Sequence, residues 1–368
     1  MRHPATAAPL WRLTWAAVSI NEDSPGQPGI RLGLSLGYWG SSPPTGTAEL
    51  IREAELLGFD SVWTAEAYGS DALTPLAWWG SATARLRLGT AVAQMHARAP
   101  AATAMAAVTL DHLSQGRFVL GLGASGPQVV EGWYGTSFAP QLAATREYFA
   151  ILRQILRREG PLIHAGRRYR LPQPDGPGKP LQLTVHPRRR ELPIWLGAEG
   201  PRNISLAAEI ADGWLAGFHA PARSDWQRRA LEEGFSRRDI PGRPRSFEIA
   251  ANLPLLIDDD IEAAADRIRP LIALYVGGMG SQRHNFHFDL FCRMGFEEQA
   301  LRIQELYLSG NPRGAAVAVS LEMVEAVALI GPLAKVREEV PLWRDGLPTL
   351  LMVDGPLPRL RQAAELFL

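Results

Sequence analysis

The sequence predicts an eight-stranded parallel β/α barrel. From Ile30 onward, short runs rich in Val, Ile, Leu and Gly alternate with longer amphipathic stretches, as expected of strands joined to parallel neighbours through helices. Eight such units over about 340 residues fit one (β/α)8 barrel with insertions better than two doubly wound domains. At 46% hydrophobic and 21% charged residues, the chain can bury a sizeable core.

The first strand is expected at Arg31–Gly37. A helix follows over Thr47–Leu57, with Leu50, Ile51, Ala54 and Leu57 on one face and Gly58 at its C′ position. Strands are expected at Asp60–Ala65, Leu86–Val92 and Arg117–Leu122; Pro100 suits the first turn of the helix that Gly116 closes. A long helix is predicted over Leu142–Arg158. Next comes an inserted hairpin within Ile163–Val185, formed by Tyr169–Leu171 and Leu181–Val185 around a Pro/Gly loop. Strands five to seven are expected at Pro193–Gly197, Gly213–Ala216 and Phe247–Ile257. A helical insertion over 277–312 then precedes a helix at Leu333–Arg344 and a last strand at Thr349–Val353. Residues 1–29 read as an extension outside the fold: Arg12 interrupts their apolar stretch and no small-residue cleavage site follows.

Lys plus Arg and Asp plus Glu each number 38. That balance removes the main reason to expect a nucleic-acid or acidic-membrane partner. The two lysines, Lys179 in a Pro/Gly loop and Lys335 in a helical stretch, disfavour Schiff-base chemistry. One cysteine, Cys292, excludes an intramolecular disulfide framework, and a cytoplasmic location is expected.

In such a barrel the reacting groups lie in the loops after the strands. Those positions hold Gly37, Tyr38 and Trp39; Glu66 and Tyr68; His96; Ser125 and Gly126; Gly197, Ala198, Glu199 and Gly200; and Gly277 and Gly278. Glycine, aromatic and amide groups dominate, which suits a flat ring with a phosphate arm better than a metal. Trp195–Leu196–Gly197–Ala198–Glu199–Gly200–Pro201 reads as strand, turn and helix start, where unpaired N–H groups and the helix dipole attract an anion. Glu199 opposes that reading unless its carboxylate turns away. Gly121–Gly126 matches GxGxxG, but no acidic residue follows at ribose-binding distance, so it reads as a second backbone wall. Ser125 is either a ligand hydroxyl or a turn serine. Glu66 and His96, at strand ends, are the acid/base candidates, each with a hydrogen-bonded structural role as its alternative. His284 and His287 share a helix-face spacing, but without a cysteine or a matching carboxylate no metal is assigned. Arg188–Arg190 reads as a solvated loop, or as a contact for an anionic tail.

Several segments together resemble the bacterial luciferase-like superfamily of flavin and deazaflavin oxidoreductases: Ile30–Gly37, Gly58–Glu66, Leu86–Ala91, Asp111–Phe118 with Leu120–Gly123, and Ala208–Trp214. Ser125–Gly135 and Tyr275–Gly280 look specifically like its coenzyme F420-dependent branch, near methylenetetrahydromethanopterin reductase. The likeness spans residues 30–368. It implies a barrel with a deazaflavin across its C-terminal mouth, backed by a bulge in strand three whose non-prolyl cis peptide falls at Ala91–Val92. It also implies a phosphate site at Gly197–Gly200, and often a homodimer. Where sugar-phosphate dehydrogenases of this family carry an Asp–His pair and a glutamate, this chain has Glu66–Ala67 and Gly126–Pro127, which argues against glucose 6-phosphate oxidation. The reading is therefore hydride transfer between F420 and a C=C or C=N bond of a small organic substrate. Glu66 or His96 would handle the proton, and Trp39, Tyr68 and Trp133 would wall the pocket. The alternatives are an FMN-dependent monooxygenase and a cofactor-free binding protein.

Overall fold

The computed structural model describes residues 29–138, 140–240, 242–280 and 285–368. All but the last residue of the predicted extension, and His284, lie outside the described residues. The barrel strands are β1 (Arg31–Ser35), β2 (Ser61–Thr64), β3 (Arg87–Thr90, resuming at Ala93–Gln94), β4 (Phe118–Gly123), β5 (Ile194–Gly197), β6 (Gly213–Ala216), β7 (Glu248–Asn252) and β8 (Leu350–Val353). Each pairs in parallel with its chain neighbours, and β8 closes the ring on β1.

The barrel lumen is packed rather than hollow. Trp63 and Trp195 meet with ring centroids 5.1 Å apart, joined by Val119, Leu215, Ala250, Leu350 and Met352. Two glycines make room for the rings: a Cβ on Gly89 would stand 2.2 Å from Trp63, and one on Gly213 2.7 Å from Trp195. A charge network seals the N-terminal end. Arg87 donates to Asp60 at 2.6 and 2.9 Å and to Glu248 at 2.8 and 2.9 Å, and Arg31 also bonds Glu248. The Arg87 guanidinium lies 5.7 Å from the centroid of Trp195.

Three expectations need correction. The predicted seventh strand leaves the barrel after Asn252, and Leu255–Ile257 instead pairs in parallel with Leu329–Gly331 in a separate two-stranded sheet. Pro254 lies at the break and has no N–H to offer a ladder. The helical insertion is larger than 277–312: helices from Ile261 to Val327 build a second core around Ile272, Leu290, Phe291, Ile303 and Val324. The inserted hairpin pairs His164–Ala165 with Arg170–Leu171, not Tyr169–Leu171 with Leu181–Val185. Four prolines between those last two segments (Pro172, Pro174, Pro177, Pro180) remove the donors a ladder needs.

Candidate active site at the barrel mouth

The third strand shapes the floor of the mouth. Along the β3–β4 ladder, Gly89 pairs with Val119 and Ala93 with Leu122, so Thr90, Ala91 and Val92 face only Leu120 and Gly121. That extra residue is a β-bulge, and the Ala91–Val92 peptide within it is cis. Thr90 bridges the interrupted ladder: its hydroxyl donates to the Gly121 carbonyl at 2.7 Å and accepts from the Gly121 N–H at 2.9 Å. The Val92 side chain fills the space that side chains on β4 and β5 would need. A Cβ on Gly123 would lie 2.5 Å from Val92, and one on Gly197 2.8 Å. The approach of Val92 is by itself a reason for glycine at 197.

A buried ion pair holds the bulge from behind. Glu66, 4% exposed, accepts from both terminal nitrogens of Arg98 at 2.7 and 2.8 Å and from the Gln94 N–H at 2.8 Å. The Gln94 amide donates back to the Glu66 carbonyl at 2.8 Å, and the Glu66 N–H reaches the Val92 carbonyl at 3.2 Å. Both carboxylate oxygens are thereby engaged, an arrangement that positions more readily than it transfers protons. Gln94 stands among the strand-end positions that the sequence points to, whereas Arg98 does not. Arg98 stands just beyond the third strand, so a search for cations facing Glu66 would have found it.

His96 sits in the short turn after β3, half-buried. Its Nε2 lies 3.1 Å from Gln141 Oε1 and its Nδ1 3.3 Å from the Thr136 hydroxyl. The network assigns the proton to Nε2. Burial lowers the imidazole's pKa, so the ring is neutral at neutral pH.

Two strands further round the mouth, the helix Pro201–Ile210 starts at Gly200 with no side chain capping it. Pro201 has no N–H, so the amides of Gly200, Arg202 and Asn203 form the available donor set, and the space beside Gly200 is open. Ala198 is buried, its carbonyl accepting from the Trp214 indole at 2.8 Å. Glu199 turns away from the helix start: one oxygen accepts from the Gly217 N–H at 2.8 Å, while the other is buried without a partner. A Cβ on Gly217 would meet this carboxylate at 2.3 Å. Burial pushes the Glu199 carboxyl up to about 8, leaving it neutral at neutral pH. The charge objection to an anion at this turn therefore falls away.

Gly37 has φ +61° and Ser125 φ +61°, both left-handed turn residues at strand ends. Gly126 begins the short helix Pro127–Gly132. Tyr38 hydrogen-bonds Tyr275, the first residue of the Tyr275–Gly280 run in the insertion. Asn285 secures Tyr275, donating to its carbonyl at 3.0 Å and to that of Val276 at 2.8 Å. Gly277 and Gly278 have a packing reason to be glycine: a Cβ on either would strike Tyr307, at 2.5 and 2.4 Å. Trp133 and Tyr68 project from the rim, 64% and 65% exposed, and Trp39 is half-buried beside them. His287 is enclosed by Tyr275, Phe218 and Phe286 rings, and burial lowers it to about 3. Arg189 also departs from a ligand role: it bonds Asp111 and the Phe118 carbonyl at the start of β4, the barrel end away from the mouth.

The barrel, its bulged third strand and its open amide turn define a class. Residues 25–349 match the family model described as luciferase-like monooxygenase, and the chain belongs to that family. It is 50% identical to "Putative coenzyme F420-dependent oxidoreductase Rv3520c" of Mycobacterium tuberculosis (strain ATCC 25618 / H37Rv), over 92% of this chain and 99% of that one. It is 26% identical to 5,10-methylenetetrahydromethanopterin reductase of Archaeoglobus fulgidus, over 83% and 88% of the two chains. Among solved structures, the coenzyme F420-dependent tetrahydromethanopterin reductase of Methanopyrus kandleri superposes with a TM-score of 0.74 at 24% identity, covering 92% of this chain and 97% of that one.

Proposed function

We propose that this protein is a coenzyme F420-dependent oxidoreductase acting on a C=C or C=N bond of a small organic substrate. The observation that carries the reading is the bulge at Ala91–Val92, half-exposed beneath an aromatic rim and facing an uncapped helix start. The names of its relatives support the choice of cofactor. Bound F420 supplies hydride at C5 of its deazaflavin ring.

The chain's own residues supply place and charge. Ala91 and Val92 offer an apolar shelf for a flat ring, kept in position by the Glu66–Arg98 clamp. The amides of Gly200, Arg202 and Asn203 are the donors for an anionic arm, with Ser125 and Gly126 on the neighbouring wall. Neutral Glu199 places no negative charge beside that arm. Trp39, Tyr68 and Trp133 exclude water around the substrate. His96, neutral and half-buried, is the proton-handling side chain, and Glu66 is a positioning residue.

Titration of the purified chain with F420 and with FMN, each followed through ligand fluorescence, tests the cofactor. The expected result is saturable binding of F420. Binding of FMN with none of F420 would reverse the assignment, and failure of both would favour a cofactor-free binding protein.

A further inference from the structure

The loops after β1 and β2 enclose, with the helix Leu73–Gly80, a cavity of about 910 Å³ walled by Trp39, Trp78, Trp79, Pro43 and Pro75. Its size is that of a pocket for a small organic molecule. The Trp39 and Trp79 rings lie 5.9 Å apart, tilted by 42°, and leave the space between the loops unfilled. Trp78 is 78% exposed, a large apolar surface for a residue on a short helix.

Asp71 is the one charged residue in the lining, and its bonds are already made. Its Oδ1 accepts from the N–H groups of Leu73 and Thr74 at 2.8 Å each, and its Oδ2 accepts from the Thr74 hydroxyl. Arg98, which clamps Glu66, stands 3.8 Å from the same carboxylate. The other polar side-chain groups of the lining are uncharged: the hydroxyls of Ser41, Ser42, Ser70 and Thr74 and the indole N–H groups of Trp39, Trp78 and Trp79. A charged guest would enter with no counter-charge to meet it, whereas an uncharged apolar one would lose nothing.

The cavity adjoins the mouth: Asp71 of its lining lies 3.8 Å from Arg98, which holds Glu66. Trp39 directly follows Tyr38, which bonds Tyr275 across the mouth, and Gly69 directly follows Tyr68 at the rim. From this geometry we infer that the tryptophan-walled cavity holds an uncharged, ring-bearing apolar part of the substrate, while its reducible bond lies in the mouth. The inference rests on the mouth being the redox site and narrows the substrate class to neutral hydrophobic molecules.

The test uses the full chain without cofactor and Nile red as a neutral probe, displaced by 2-naphthalenemethanol or by 2-naphthoate. The expected result is saturable, blue-shifted binding, with the alcohol displacing the probe at least tenfold more effectively than the carboxylate. Trp78→Ala should weaken probe binding about fivefold, and Ala77→Arg, which brings a cation onto an exposed helix position of the lining, should abolish it. Circular dichroism would confirm that both variants are folded. Absence of saturable binding, equal displacement by the carboxylate, or unchanged binding in Ala77→Arg would overturn the inference. So would loss of the probe site as protein concentration rises, which would mean that a second copy covers the face. A parallel F420 titration separates the two readings: lost cofactor binding with an intact probe site counts against the F420 assignment, and the converse counts against this cavity.

Discussion

The two ends of the barrel treat charge in opposite ways. At the N-terminal end, Arg31, Arg87, Asp60 and Glu248 satisfy one another, and Arg117 spends its donors on the carbonyls of Leu86, Ser114 and Thr83. At the C-terminal mouth the groups facing the centre are left incomplete: a Glu199 oxygen and the Gln94 Oε1 are buried without partners, and the helix start at Gly200 is uncapped. A polar group left unsatisfied costs stability. Of these groups, Gln94 follows the shelf at Ala91–Val92 by two residues, and Glu199 adjoins the proposed anion site at Gly200. The Glu66–Arg98 pair belongs in character to the satisfied end although it lies at the mouth, and that is why it reads as scaffold.

Breaking that pair gives the largest expected effect. Arg98→Ala leaves Glu66 buried and unpaired, and chemical denaturation should show a loss of about 3–5 kcal/mol. Glu66→Gln sharpens the distinction between scaffold and acid. A positioning role predicts weakened F420 affinity with an unchanged pH profile, whereas a catalytic role predicts that one limb of the profile disappears. Next comes Arg87→Ala at the far end, expected to cost about 2–3 kcal/mol. It should leave F420 affinity within about twofold, since additivity holds for distant sites; a large loss of affinity would dissolve the contrast between the two ends.

Glu199 predicts a pH effect of definite sign. Its folded pKa is raised from the ordinary 4.5 to about 8, so its contribution to stability is complete below about pH 4.5 and declines as pH rises towards about 8. Glu199→Gln should therefore gain on the wild type by about 4 kcal/mol between pH 4.5 and 8.5, read from paired thermal melts. A constant difference across that range would show that the carboxyl is ionised throughout. The smallest expected change in stability is that of Gly197→Ala, about 1–2 kcal/mol. Its larger consequence is displacement of Val92, and F420 binding should weaken about tenfold, equivalent to about 1.4 kcal/mol.

The barrel itself was legible because each strand is a local apolar run flanked by helical periodicity. Each of the eight strands overlaps its expected segment, with β4 running one residue further to Gly123 and β3 resuming past its bulge at Ala93–Gln94, and Leu333–Arg344 matches its predicted helix. The cis peptide at Ala91–Val92 came from resemblance, and the structure contains it. Candidate residues at strand ends do gather at the mouth, since a parallel barrel brings all its strand ends to one face. What local pattern did not reveal were the partners. Arg98 lies 32 residues from Glu66, Gly217 lies 18 from Glu199, and Tyr275 is distant in sequence from Tyr38. The packing of Tyr307 against Gly277 and Gly278 was not legible either, because a glycine that admits a ligand and one that admits a ring look identical in sequence.

Periodicity and strand-end chemistry, both short-range properties, were enough to determine the barrel, the face that carries the site and the residue types at its rim. The protonation of Glu199, the commitment of Glu66 to Arg98, and the use of Gly123 and Gly197 to seat Val92 were decided only when the chain closed on itself. Burial and long-range pairing set a side chain's charge and freedom, and neither exists until distant segments meet.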